Sequence, residues 1–192
     1  MVVVTGRPGV GKTTVFLHVT DSLRGLGIGL GGFVSSEVRV RGDRVGFQMV
    51  DLNSNRKGWL AHVDRENGPK VGKYRVNTRD LVEIGVESIK TSIREKSIDV
   101  IAIDEIGPME LTSLEFVRAI RDAVNSEKTI LVTVHYREKD RILSMFNLNG
   151  SGALFEVTPE NRETIQKGIV DGVVGQLRDT PHVQLSQNTR KT

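Results

Sequence analysis

Gly6-Arg7-Pro8-Gly9-Val10-Gly11-Lys12-Thr13-Thr14 decides the fold of this 192-residue chain. It follows Val2-Val3-Val4, a β-branched run that reads as a buried strand, and passes into a helical stretch from Lys12 to about Arg24. Strand, glycine-rich turn and helix in that order, with Lys-Thr closing the turn, make a phosphate loop. The glycines let the backbone wrap a phosphate so closely that a Cβ would collide, with successive N–H groups pointing inward. The helix adds the partial positive charge of its N-terminal end. In this pattern Lys12 reaches the β- and γ-phosphates of a nucleoside triphosphate, and the Thr13 hydroxyl is the expected Mg²⁺ ligand.

Further along, Asp99 is followed by Val100-Ile101-Ala102-Ile103-Asp104-Glu105-Ile106-Gly107. An apolar strand that ends in acidic residues is where folds with a phosphate loop hold Mg²⁺, so Asp104 is the expected metal anchor. Glu105 is then the residue that orients or deprotonates an attacking water, and with Lys12 it makes the expected catalytic pair. Asp104-x-x-Gly107 also fits the metal motif of guanine-nucleotide switches, but their guanine-reading Asn-Lys-x-Asp tetrad is absent from the chain. His135 ends a later strand, from which a γ-phosphate contact is possible. Arg39, Arg41 and Arg44 surround a hairpin and fit two roles equally: charge stabilisation at the γ-phosphate, or solvated charges on an edge hairpin.

The remaining pattern supports an α/β sandwich. Phe33 to Asp51 reads as two strands around Arg41-Gly42-Asp43-Arg44, and Trp59–Val63 and Tyr74–Val76 as further short strands. From Asn77 onward helices alternate with continuously apolar strands at Ile98–Ile103, Ile130–Val134 and Ala153–Val157, the signature of a parallel sheet covered on both faces. Thr112 with Glu115 predicts a capping box and a buried stripe of Leu114, Val117, Ile120 and Val124. Thr158-Pro159 predicts the start of a last helix with Ile165, Ile169, Val173 and Leu177 on its apolar side. Gly27-x-Gly29-x-x-Gly32 has the spacing of a dinucleotide fingerprint but lies between a helix and a strand, the reverse of the required order.

Composition narrows the classes. Apolar residues at 38% and charged residues at 27% are those of an ordinary globular domain. The absence of cysteine excludes disulfides and cysteine-based zinc sites. No apolar run approaches the ~20 residues of a membrane span, and a phosphate loop beginning at Gly6 leaves no room for a signal peptide, so a cytoplasmic protein is expected. A formal charge of +3 falls short of a nucleic-acid-binding face, and a monomer acting on a nucleoside triphosphate is the expected form. Residues 1–177 read as one domain and 178–192 as a tail without periodicity.

Taken together the residues resemble the small nucleoside-triphosphatases first described from thermophiles, related to the animal cancer-related NTPase. The likeness rests on Gly6–Thr14, Gly32-Phe33 with Glu37-Val38-Arg39, Gly42, Arg44, Gly46-Phe47 and Val71-Gly72-x-Tyr74. It extends through Ile103-Asp104-Glu105-Ile106-Gly107-x-Met109-Glu110-Leu111 to Thr158-x-Glu160-Asn161-Arg162, covering nearly all of residues 1–177. It implies a three-layer RecA-like sandwich, mostly parallel with an added antiparallel hairpin region. It also implies Mg²⁺-dependent hydrolysis of ATP, GTP and other triphosphates with little base preference, and nucleotide contacts from residues 6–13 and 100–107. Two other functions fit a phosphate loop: a phosphotransferase, in which an acceptor hydroxyl replaces water, and a nucleotide-dependent RNA-associated module.

Overall fold

Every residue of β1 (Val2–Gly6) is buried in the computed structural model, which describes residues 1–148 and 152–179. Its side chains alternate between two cores. Val3 joins the cluster on one face of the sheet, Val2 and Val4 the cluster on the other. β7 (Val100–Ile106) divides the same way, with Ile101 and Ile103 in the first cluster and Val100 and Ala102 in the second. A strand buried on both faces needs apolar residues at every position, which is why these segments read as unbroken runs.

The other strands among the described residues are β2 (Leu30–Val40), β3 (Asp43–Asp51), β4 (Lys57–His62), β5 (Lys70–Val71), β6 (Tyr74–Val76), β8 (Thr129–Val134) and β9 (Ala153–Val157). They form one sheet in the order β5-β6-β4-β3-β2-β7-β8-β1-β9. The half from β2 to β9 is parallel, and β3, β4, β6 and β5 extend it as antiparallel strands. This is the expected sandwich with its antiparallel addition. The β2–β3 hairpin is nevertheless interior to the sheet, because β4 covers β3, and so is not the edge hairpin that one of the two readings of its arginines supposed.

One face is covered by α1 (Lys12–Gly25) and α6 (Ile165–Asp179), whose Phe16, Val19, Leu23, Ile169 and Val173 join the second cluster. The other face carries α2 (Thr78–Asp80), a π-helical turn (Leu81–Val86) and α3 (Glu87–Arg94) in one run, then α4 (Leu114–Val124) and α5 (Lys139–Met145). Helix α6 passes through Asp179; beyond it, the tail expected from 178 to 192 lies outside the described residues.

Two helix starts differ from expectation. The cap of α4 is Ser113, whose hydroxyl oxygen accepts from the Phe116 N–H, while the Thr112 hydroxyl donates to Met109 O. With the start displaced, Phe116, Ala119, Ile120 and Ala123 are buried and Leu114 is 70% exposed. Thr158-Pro159 opens a turn instead of a helix. The Asn161 side chain accepts from the Thr158 N–H and donates to Glu156 O, so the chain is held in a bend before α6 starts at Ile165.

The glycine cluster at the start of β2 serves close backbone approach. A Cβ on Gly32, which has φ +91°, would stand 2.1 Å from Ala102 O, and one on Gly29 would stand 1.8 Å from Ser97 O. These glycines let β2 enter the sheet beside β7, and the apparent dinucleotide spacing is a by-product of that packing.

Candidate functional site

The chain leaves β1 at Gly6, turns through Arg7–Val10 with the Val10 N–H donating to Arg7 O, and enters α1. Gly11, at φ +104°, precedes the helix with no side-chain cap. The N–H groups of the first turn are therefore left for a ligand, and a helix start of this kind favours an anion. Arg7, Pro8 and Gly9 are exposed, Val10 is buried, and Thr13 and Thr14 lie on the helix's opening turn. Lys12 folds back over the loop, its Nζ donating to Gly6 O at 3.2 Å and standing 3.7 Å from Oε2 of Glu105.

The parallel strands all end on this side of the sheet. β7 carries Asp104 and Glu105 at its end, joined by a cis peptide, and its register with β8 breaks between Ile103 and Ile106. Val100, Ile101, Ala102, Ile103 and Ile106 belong to the two core clusters, so within this strand Asp104 and Glu105 are the residues outside them.

Asp104 is 2% exposed. Its Oδ1 accepts from the Thr133 hydroxyl on β8, while Oδ2 is buried without a hydrogen-bonded partner among the described residues. Burial, then the Glu105 charge, pushes its pKa up to about 6; the Thr133 and Thr13 hydroxyls and the Lys12 ammonium act in the opposite direction. The Thr13 hydroxyl is thus near enough to the carboxyl to favour its charged form. A buried orphan carboxylate oxygen, with a threonine hydroxyl near its carboxyl and an anion site beside it, suits a hard divalent cation that prefers oxygen ligands.

Glu105 is partly buried. Desolvation raises its pKa, and Lys12 pulls it down. Behind it lies Glu110. Glu110 is 3% exposed, its Oε2 accepts from the Gly107 N–H at 3.0 Å, and burial followed by the Glu105 charge pushes its pKa up to about 8. A Cβ on Gly107 would lie 3.1 Å from Oε1 of Glu105 and 3.2 Å from Oε2 of Glu110, so both carboxylates crowd the space that a side chain there would enter. The sequence signal for Glu110 was the Ile103–Leu111 run, which held it without a role.

His135 also belongs to this cluster. Its N–H donates to Ile106 O, its Cβ lies 3.5 Å from the Cβ position of Gly107, and burial with the nearby Lys12 charge lowers its pKa. Nδ1 is buried and without a partner among the described residues.

The arginines behave differently. β2 pairs with β7 as far as Val34 opposite Asp104, so Ser35–Val40 and the start of β3 stand beyond the ends of the parallel strands. There Arg39 Nε donates to Glu37 Oε1 at 2.7 Å and Arg44 Nη1 to Glu37 Oε2 at 3.3 Å. Arg44 Nε also donates to Tyr74 Oη, with its guanidinium over the rings of Phe47 and Tyr74. Glu37 is committed to this exposed network, which ties both arginines to one carboxylate. Arg41 takes a turn position at φ 51°.

Among the described residues no helix is long and apolar enough to cross a membrane.

Residues 1–170 match the protein family described as NTPase. The chain is 39% identical over 170 residues to the nucleoside-triphosphatase THEP1 of Methanothermobacter thermautotrophicus, covering 88% of this chain and 94% of that protein. It is 37% identical over 175 residues to the protein of the same name from Methanocaldococcus jannaschii, covering 91% and 98%. Among solved structures it resembles THEP1 from the hyperthermophile Aquifex aeolicus, with TM-score 0.74, 29% identity and coverage of 88% and 96%. It also resembles a human cancer-related nucleoside triphosphatase, with TM-score 0.75, 32% identity and coverage of 88% and 95%.

Proposed function

This chain belongs to the NTPase family, and on that premise we propose that it hydrolyses nucleoside triphosphates to the diphosphate and phosphate, using Mg²⁺ and discriminating little between bases. The observation that carries the reading is the convergence of three groups at one end of the sheet: Lys12 over its loop, Glu105 at 3.7 Å from it, and the orphan Oδ2 of Asp104.

The loop N–H groups and Lys12 bind the phosphates and fix the terminal one relative to β7. Thr13 and Asp104 would hold the Mg²⁺, which when bound neutralises charge on the β- and γ-oxygens. Glu105 orients a water and accepts its proton as the oxygen bonds to the γ-phosphorus and the bridging bond to the β-phosphate breaks. For that it must be ionised in a partly buried place, and Lys12 beside it favours the ionised form. His135, half-buried at the same strand ends, is available to contact the γ-phosphate. Weak base preference follows from the absence of the guanine-reading tetrad.

Phosphate release from ATP, GTP, CTP and UTP, with and without Mg²⁺ and with no acceptor present, tests this. Release that needs Mg²⁺ and differs by less than about tenfold between ATP and GTP, ~1.4 kcal/mol of discrimination, is the expected result. Transfer only when an acceptor alcohol is added would make the protein a phosphotransferase.

A further inference from the structure

β1 has β8 on one side and β9 on the other. Apart from Lys12 and the loop itself, the groups assigned so far to the terminal phosphate, namely Asp104, Glu105 and His135, lie on the β7–β8 side. On the β9 side the register places Gly6 opposite Val157, so β9 ends level with the start of the phosphate loop. The contact is tight, since a Cβ on Gly6 would stand 2.6 Å from Val157 O. The next residues, Thr158–Arg162, form the bend stapled by Asn161, closed further by the Arg162 N–H donating to Thr158 O at 3.1 Å. That bend brings the Arg162 stem against the loop. Its Cδ lies 4.0 Å from the Cβ position of Gly11.

The Arg162 guanidinium is exposed and makes no hydrogen bond or ion pair with any described residue. Glu160, the acid within the bend, is engaged by Thr158, whose hydrogen bond lowers its pKa. Lys12 shares its charge with Glu105, so Arg162 is an uncommitted cation held against the anion-binding loop on the flank away from the acidic residues. A triphosphate with its γ end at Glu105 extends its other end away from β7, and β9 is the strand on that side.

We infer that Asn161 and Arg162 form the nucleoside subsite, with Asn161 fixing the bend and the Arg162 guanidinium lying on the flat face of the base. The inference rests on the nucleotide reading of the cleft and adds which end of the substrate faces β9. Guanidinium stacking uses a surface that every base has, so this contact binds purine and pyrimidine nucleotides without reading them. It gives a physical reason for weak base preference in a chain without a base-reading tetrad.

The test is equilibrium binding of ADP and of inorganic tripolyphosphate, in the same Mg²⁺ buffer, to the parent, Arg162→Ala and Arg162→Lys. ADP carries the nucleoside, whereas tripolyphosphate carries only the anion. The expected result is about tenfold weaker ADP binding by Arg162→Ala with tripolyphosphate binding within twofold of the parent. Arg162→Lys keeps the charge without the planar group and is expected to recover less than half of the lost ADP affinity, expressed as log Kd. Because the side chain is exposed, both variants are expected to unfold at the parental temperature. Unchanged ADP affinity in Arg162→Ala would overturn the subsite. Equal weakening toward ADP and tripolyphosphate would overturn it too, making Arg162 a phosphate contact. A parent that bound neither ligand would overturn the nucleotide reading itself, and this inference with it.

Discussion

Nζ of Lys12 and Oε2 of Glu105 stand 3.7 Å apart, joining the end of the phosphate loop to the end of β7. The same ammonium serves two needs: it meets phosphate, and it keeps a partly buried carboxylate charged.

Lys12→Ala is therefore expected to do more than weaken binding. Nucleotide affinity and turnover should both fall, since the charge meets phosphate in ground and transition states. Loss of the lysine also removes what lowers the Glu105 pKa, so the acidic limb of the rate–pH profile should move to higher pH. Steady-state rates from pH 5 to 9, alongside nucleotide binding, read both effects. A variant with weaker binding but an unmoved acidic limb would show that Glu105 does not control that limb.

Asp104 titrates near 6 because it is buried beside Glu105, and it can ligate a cation only when ionised. The Mg²⁺ concentration giving half-maximal rate should accordingly rise as pH falls below about 6. Asp104→Asn should need more Mg²⁺ at every pH and show a weaker dependence between pH 5 and 6.5. Magnesium titrations at several pH values check this; equal requirements in parent and variant would remove Asp104 from the metal site.

Glu110 carries a stability prediction whose sign follows from its raised pKa. The folded protein holds this proton up to about pH 8, whereas the unfolded chain releases it near the ordinary carboxyl value. Its contribution is thus fully present below the unfolded value and is lost as pH rises toward 8. Glu110→Gln keeps an acceptor for the Gly107 N–H and cannot ionise. Between pH 6.5 and 8, above the Asp104 transition, urea denaturation should show the parent losing on the order of 2 kcal/mol that the variant retains. Identical pH slopes would mean that Glu110 is already ionised in the fold.

Much of this arrangement was legible in the sequence because its signals are local. A phosphate loop is nine consecutive residues, and a strand buried on both faces has to be apolar throughout, so Gly6–Thr14 and Val100–Gly107 announce themselves. Helix starts were less clear. Thr112 and Ser113 are both competent caps, and choosing the wrong one rotates the stripe enough to bury Leu114 on paper while the structure exposes it. Side-chain partnerships were out of reach altogether, near and far in sequence alike. Nothing local says that Glu37 claims Arg39 and Arg44, that Glu110 folds under Gly107, or that Arg162 lies against Gly11. Gly29 and Gly32 mimicked a cofactor fingerprint because close strand packing and phosphate binding both require the absence of a Cβ.

The most direct test of the mechanism is single-turnover hydrolysis by Glu105→Gln, with nucleotide affinity measured on the same preparation. The substitution preserves size and leaves Lys12, Thr13 and the loop N–H groups in place, removing only the carboxylate that takes the proton. General-base catalysis contributes about 10²–10⁴-fold, or ~3–5 kcal/mol of barrier. The variant should bind nucleotide at least as tightly as the parent and hydrolyse it at least about a hundredfold more slowly. Retention of more than about a third of the parental single-turnover rate, well within the range that general-base loss cannot explain, would contradict Glu105 as the base.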